Sequence, residues 1–375
     1  MINETRPEHF QNNSVIGRFL SRIHLDSLLL AGLILLSLLS CLILYSTSGQ
    51  HLETLLRQTT RIAIAFFIML FIAQIPPNQI KRYAVNLYII GILMLLAVLI
   101  IGEMGKGAQR WLDLGLFRFQ PSEMIKITTP AAIAWYFSEH ALPPRWKELF
   151  IALLLIAIPT FLIAKQPDLG TALLIASSGA AVFFFAGISW RIMLSSLGGL
   201  IALTPVLWHF MHDYQRARVI TFLNPESDPI GRGYHIIQSK IAMGSGGLYG
   251  KGWLESTQAK LEFLPERSTD FIFAVFAEEF GLLGCVSLLF LYLLITLRSL
   301  YIAVNAQDTF CRLLAGSLSF TFFVYVFVNI GMVIGILPVV GVPLPLISYG
   351  GTSMVTLLIG FGILMSIHTH KNLLS

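Results

Sequence analysis

Long apolar stretches separated by short polar ones recur along the whole of this chain. Leu28 to Leu44, Ile62 to Ile72 and Leu87 to Ile101 come first. Ile151 to Ala164, Thr171 to Ile188 and Ile192 to Phe210 follow, then Phe271 to Leu297, Leu313 to Leu337 and Met354 to Ile367. With their flanks, each is long enough to cross a hydrocarbon core of about 30 Å. Met124 to Phe137 belongs with them, although Lys126 and Pro130 lower its hydropathy. The pattern predicts about ten crossings. A backbone in lipid must satisfy its own hydrogen bonds, so segments of this length are read as helices. The expected fold class is all-α: a polytopic integral membrane protein, one membrane domain over residues 1–375. A large extracytoplasmic loop, residues 211–269, lies between helices 7 and 8.

Composition agrees with that reading. Of 375 residues, 55% are hydrophobic and 12% charged, against about 25% charged in soluble domains. The net charge of +5 is spread over the connections rather than gathered into a patch that would bind nucleic acid. Cys41, Cys285 and Cys311 fall inside expected helices, which argues for neither a disulfide framework nor a metal cage. No small-residue cleavage site follows the first apolar run, so it reads as a retained helix. Basic residues set the orientation. With the N-terminus in the cytoplasm, Arg6, Arg18, Arg22, Lys81, Arg82, Arg145, Lys147, Arg191, Arg298, Arg312 and Lys371 lie inside. The short outer loops then hold Arg57, Lys106, Arg110, Arg118 and Lys165. An even number of crossings returns the C-terminus to the cytoplasm.

The long loop does not read as disordered. Asn224-Pro225-Glu226-Ser227-Asp228-Pro229 is rich in turn formers. Between Tyr234 and Met243, Ile236, Ile237, Lys240 and Ile241 recur at helical spacing, which predicts a short amphipathic helix on the outer membrane surface. Gly244, Gly246, Gly247, Gly250 and Gly252 follow, as a flexible or closely packed segment. No strand precedes these glycines and no Gly-Lys-Ser/Thr ending follows, so they do not form a phosphate loop.

Charges inside apolar segments each need a reason, because insertion costs about 2.5–3.5 kcal/mol even on lenient scales. Glu123 and Lys126 share one helix face at a spacing that allows pairing. They read equally as a structural ion pair or as the polar lining of a headgroup cavity. Asp168, after Pro167, reads as the cap of the sixth helix or as a site carboxylate, and Lys165 and Arg110 are outer-facing cations that could neutralise a diphosphate. Glu278 and Glu279 are adjacent, so on a helix they point apart and do not share a proton. His368 and His370 read as interfacial. Asp270 stands where the charged stretch Glu266-Arg267-Ser268-Thr269-Asp270 meets a long apolar run. It is either a helix cap or a proton acceptor whose pKa is set between water and hydrocarbon.

These residues occur in motifs that identify a family. The pattern Asn329, Gly335-Ile336-Leu337-Pro338, Gly341-Val342 and Leu346-Ile347-Ser348-Tyr349-Gly350-Gly351-Thr352-Ser353 resembles the C-terminal signature of the SEDS proteins (shape, elongation, division and sporulation). Gln109-Arg110-Trp111-Leu112, Gln120 to Lys126, Gln166 to Thr171 and the loop through Asp270 extend the likeness over nearly the full length. Glu255-Ser256-Thr257-Gln258 and Glu266-Arg267 are more similar to the elongation branch than to the division branch. Ser268 departs from the pattern, standing where family members commonly carry His. That removes a His-assisted relay and leaves the carboxylate.

The resemblance implies a ten-helix peptidoglycan glycosyltransferase that uses lipid II at the outer face of the bacterial cytoplasmic membrane. Its implied partner is a class B penicillin-binding protein. The family's essential loop aspartate falls on Asp270, and its Glu/Lys pair on Glu123 and Lys126. In the expected mechanism Asp270 takes a proton from the acceptor sugar, and undecaprenyl diphosphate leaves with inversion. Arg110, Lys126, Arg216, Arg218 and Arg267 are the candidate diphosphate contacts, with Asp168 and Ser348 among the polar groups of the cavity. A divalent cation, Mg or Mn, is a candidate cofactor with no protein cage evident for it. Two other classes remain at this point, a lipid II flippase and a scaffold for the partner.

Overall fold

The computed structural model describes residues 24–370 apart from 106–107, 114, 116–117, 203–204, 206–207, 210–212, 228–231, 262 and 265. It is a helical bundle. Among the described residues, seven helices are long and apolar enough to cross a membrane: α1 (Ser27–Thr47), α2 (Leu52–Ala73), α3 (Pro77–Ile101), α5 (Trp146–Lys165), α11 (Ile272–Val304), α12 (Thr309–Ile334) and α13 (Thr352–Thr369). Three of the other expected crossings carry helices that fall short of that standard: α4 (Pro121–Ser138), whose Glu123 and Lys126 interrupt its apolar run, the shorter apolar α6 (Leu169–Phe185), and α7 (Trp190–Ala202).

Local chemistry sets several of the ends. Asp26 Oδ1 accepts from Leu29 N at 2.9 Å and starts α1. Pro77 and Pro121 occupy first-turn positions of α3 and α4, where the missing N–H is no loss. Gly335, at φ 82°, closes α12 in the left-handed conformation. His24 stacks on His370 at 3.8 Å, and Arg298 reaches Asp26 at 2.5 Å. Both ends of the described chain therefore sit at one end of the bundle, and the long loop covers the other.

Three findings differ from the reading of the sequence. The connection between α3 and α4 is a small antiparallel sheet of β1 (Glu103–Gly105), β2 (Ala108–Asp113) and β3 (Arg118–Phe119). Arg110 and Arg118 are therefore strand residues. Arg57 stands on α2 rather than in a loop, paired with Glu53 one turn earlier. Lys106 lies outside the described residues.

The third difference is in the long loop, which contains α8 (Asp213–Leu223), α9 (Arg232–Ser245) and α10 (Thr257–Lys260). The helix expected on the membrane surface is α9, and it packs on α11 and α12. Ile236, Ser239 and Ala242 are buried there, and Ser239 Oγ donates to Val333 O at 2.9 Å. Ile236 is thus buried on the bundle, while Ile241 stays exposed.

The glycines after α9 form a closely packed segment. They lie against a break in α11 at Gly281, where φ is 64° and ψ is −165°. The break exposes helix backbone, and the loop satisfies it: Leu282 N donates to Gly247 O at 3.0 Å and Leu283 N to Leu248 O at 3.1 Å. In return Lys251 N and Gly252 N donate to Glu278 O and Glu279 O, both at 3.0 Å. A Cβ on Gly281 would come within 2.3 Å of Gly250 N. Gly281→Ala should therefore destabilise by about 2 kcal/mol or more, from strain and clash together. Thermal unfolding of the detergent-purified chain reads this, and an unchanged midpoint would refute the account of the break.

Candidate functional site

Asp270 sits half-buried at the loop end, just before α11. The helix cap position falls on Phe271, which makes no side-chain cap bond. Three hydrogen bonds fix the backbone around it. Tyr349 N donates to Ser268 O at 2.8 Å, Ser348 Oγ to Thr269 O at 2.6 Å, and Asn329 Nδ2 to Asp270 O at 2.9 Å. All three donors belong to the C-terminal signature motif. Its glycine at 341 (φ 75°) faces the carboxylate: a Cβ there would lie 3.5 Å from Asp270 Oδ2.

Two spaces lie on either side of the contact between Arg61 and Tyr349. One is an apolar cleft of about 730 Å³ between α2, α3, α4 and α13. Ile64, Ile72, Ile80, Leu87, Val355 and Ile359 line its length, and Arg61, Arg118, Gln120, Glu123 and Thr352 are its polar groups. Ile64, Tyr83 and Leu87 are exposed, so the cleft opens sideways where lipid would be. The other is a polar hollow of about 540 Å³ lined by Thr47, Ser48, Thr54, Glu266, Arg267, Ser268, Thr269 and Tyr349. Thr269, next to Asp270, is on its wall. Arg61, stacked 4.6 Å over the ring of Tyr349, stands between the two.

The other residues singled out in the sequence divide by what holds them. Lys126 Nζ donates to Glu123 Oε1 at 2.8 Å and lies 5.3 Å from the ring centre of Tyr325, with both charges buried. Glu123 faces the apolar cleft. Asp168 does two things at once: its Oδ1 accepts from Thr171 N as the cap of α6, and its Oδ2 lies 3.3 Å from Arg110 Nε. Arg110 also donates to Pro167 O at 3.1 Å, so it ties the small sheet to α6. Arg216 donates to Trp208 O and His209 O at 3.1 and 2.8 Å. The side chain of Arg218 lies outside the described residues. Arg267 donates to Thr47 O at 2.9 Å and Ala259 O at 2.6 Å while lining the polar hollow. Ser348 both donates to Thr269 O and accepts from Leu344 N, which makes it a backbone tie. Lys165 lies over Phe161.

Sequence reasoning missed two participants, Arg61 and His235, and singled out a third, Glu278, without assigning it a role. Arg61 precedes the apolar run that begins at Ile62 and reads there as a flank. Glu278 is fully buried and accepts from Lys251 Nζ at 2.6 Å, Ser256 Oγ at 2.5 Å and Thr257 Oγ1 at 2.7 Å. It anchors the loop to α11. Its position two turns inside a helix was the available signal. His235 stacks on Phe271 at 5.7 Å, and burial lowers its pKa against the upward pull of Glu266. Among the described residues no group of three or more His, Cys, Asp or Glu is arranged to hold a metal ion.

The Glu123–Lys126 pair tests what buried charge contributes here. Lys126→Met leaves Glu123 unpaired and should cost about 3–5 kcal/mol, whereas the double change Glu123→Leu, Lys126→Met should recover most of it. Comparing unfolding midpoints decides this. A double variant no more stable than the single one would mean that the cost is not an orphaned charge.

Comparison with known proteins covers nearly the whole chain. A family model described as cell cycle protein, FTSW_RODA_SPOVE, matches residues 19–373. The chain is 56% identical to the peptidoglycan glycosyltransferase MrdB of Escherichia coli K12 over 358 residues, 95% of this chain and 97% of that one. It is 38% identical to MrdB of Helicobacter pylori J99, covering 91% and 89%. Among solved structures it resembles a chain from a peptidoglycan synthase complex described as coordinating polymerization and crosslinking. The TM-score is 0.80 and the identity 32%, with 92% and 97% covered. It also resembles the rod shape determining protein RodA of Thermus thermophilus, with a TM-score of 0.70, 28% identity, and 92% and 98% covered.

Proposed function

The chain belongs to the FTSW_RODA_SPOVE family of cell cycle proteins, and from that premise we propose how its site works. It is a peptidoglycan glycosyltransferase, of the RodA type that serves cell elongation, and a multi-pass membrane protein. The substrate is lipid II, and the loop end of the bundle faces the outside of the bacterial cytoplasmic membrane. The termini then lie in the cytoplasm.

The observation that carries the reading is the clamped aspartate beside two spaces of opposite polarity. Lipid II is an amphiphile, with a polyprenyl tail, a diphosphate and a sugar-peptide head. The apolar cleft suits part of the tail and the polar hollow suits the head. Asp270 stands at the rim, where a sugar hydroxyl would arrive. It accepts the proton of the acceptor 4-hydroxyl while that oxygen attacks the anomeric carbon of the growing strand. The bond to the diphosphate oxygen breaks on the opposite face, so the configuration inverts and undecaprenyl diphosphate leaves. Holding the backbone at 268–270 by three bonds limits the motion of the base, which is how positioning lowers a barrier. No protein cage is arranged for a divalent cation among the described residues, so one acting here would take its ligands from the diphosphate.

The partner in this reading is a class B penicillin-binding protein, supported by the likeness to a chain of a synthase complex concerned with both polymerization and crosslinking. A flippase could use the same cleft, but the relatives are named for glycosyl transfer. The full-length protein, purified and given lipid II, should make glycan strands. Asp270→Asn should retain its unfolding midpoint and lose about 10²–10⁴-fold in rate, the usual worth of a general base. Normal polymer from that variant would end the assignment of the base. No polymer from the unaltered protein, with or without its partner, would favour transport or scaffolding.

A further inference from the structure

Among the described residues, no carboxylate meets the charge of Arg61. It lies nine residues into α2, about 13 Å along the axis from Leu52. Among the described residues it makes no ion pair and no hydrogen bond. Its guanidinium rests on Tyr349, and its aliphatic stem passes the backbone of Gly351. One cation–π contact returns less than the cost of a guanidinium at that depth. The acid in the same cleft, Glu123, already has Lys126. A helical side chain leans toward the N-terminal end of its helix, which for α2 is the loop end, so the guanidinium is aimed at the mouth of the cleft. Arg118 and Gln120 line that same cleft.

From this geometry we infer that Arg61 is a phosphate-binding residue, taking the diphosphate of a polyprenyl-linked substrate or leaving group whose tail occupies the apolar cleft. The inference rests on the reading of the chain as a lipid II polymerase, and adds a contact to it. A guanidinium fork matches phosphate oxygens two at a time, and the stacked ring holds its plane. Tyr349 also donates its backbone N–H to Ser268, two residues from Asp270. A diphosphate on Arg61 therefore leaves the next group along the molecule, the sugar, beside the proposed base.

The test separates this contact from the activity. Full-length protein in detergent is titrated with farnesyl diphosphate, with farnesol, with inorganic diphosphate and with phosphatidylglycerol, and retention is read by native mass spectrometry. The unaltered chain should prefer farnesyl diphosphate to farnesol. Arg61→Gln should weaken farnesyl diphosphate by roughly tenfold or more, the loss of a charged hydrogen-bonding contact, and leave farnesol unchanged. Arg61→Lys, which keeps charge without the fork, should fall between. Equal retention of farnesyl diphosphate by unaltered and Gln proteins would overturn the inference. An equal Arg61 dependence for phosphatidylglycerol would make this a general anionic-lipid site and overturn the substrate assignment, and binding of inorganic diphosphate alone as tightly as the prenyl form would remove the cleft from it. In the polymerisation assay Arg61→Gln should raise KM for lipid II about tenfold while kcat changes little, and an unchanged KM would count against it. Absence of polymer from the unaltered protein would instead strike the parent reading, leaving the titrations to decide on Arg61.

Discussion

A stretch of backbone without helix or strand runs through the bundle from Gly335 to Gly351, and the site depends on how its polar groups are met. Leu344, Leu346 and Ile347 are buried there. Irregular backbone at membrane depth is tolerated only where protein satisfies it. Tyr292 donates to Pro345 O at 2.6 Å, Ser40 to Ile347 O at 2.9 Å, and Asn329 to Val342 O at 2.7 Å. These donors stand on α11, α1 and α12, so three helices must be in register before the segment can be buried. Once placed, its Ser348 and Tyr349 hold the backbone of 268–270, and Asn329 closes the arrangement from α12. The position of Asp270 is thus a consequence of packing on the far side of the chain.

The same end of the bundle contains other acids, and their surroundings explain why they are poor candidates for chemistry. Glu278 has its oxygens occupied by an ammonium, hydroxyls and backbone N–H groups. A carboxylate so committed has no lone pair to offer an incoming hydroxyl without releasing the loop. Glu279 accepts from Ser46 on α1 and is itself buried. Both acids stabilise the junction of loop and helix. Asp270 differs in lying half-buried at the end of the loop, with Gly341 so near that a Cβ there would come 3.5 Å from its Oδ2.

Apolar run length revealed the membrane helices, because hydrocarbon thickness leaves little choice. It also exposed the long loop by interruption. It could not reveal which face of α9 met protein, since Ile236 and Ile241 suit lipid and bundle equally well. Nor did it reveal the small sheet after α3, where the strands are only two to six residues long. Asp270 and the Glu123–Lys126 pair stood out as charges within apolar surroundings. Arg61 did not, because a cation at the edge of a hydrophobic run looks like an ordinary flank until the helix is seen to start at Leu52. The glycines after α9 were legible as unusual, but only the break at Gly281 gives their reason: backbone must approach backbone, and no side chain fits between.

An enzyme acting on an amphiphile has to keep an apolar channel and a polar chamber adjacent without letting either drift. Here one residue couples them. The backbone of Tyr349 is bonded to the segment that carries Asp270, and its ring carries the cation at the mouth of the cleft. Moving the ring relative to the backbone would require a different rotamer, and the neighbouring Gly351 leaves the stem of Arg61 close against the chain. The spacing between charge and carboxylate is therefore set by a single side chain's length. Flexibility elsewhere in the long loop would change it little, because Ser348 and Tyr349 hold the backbone beside Asp270 and Arg61 stands on α2.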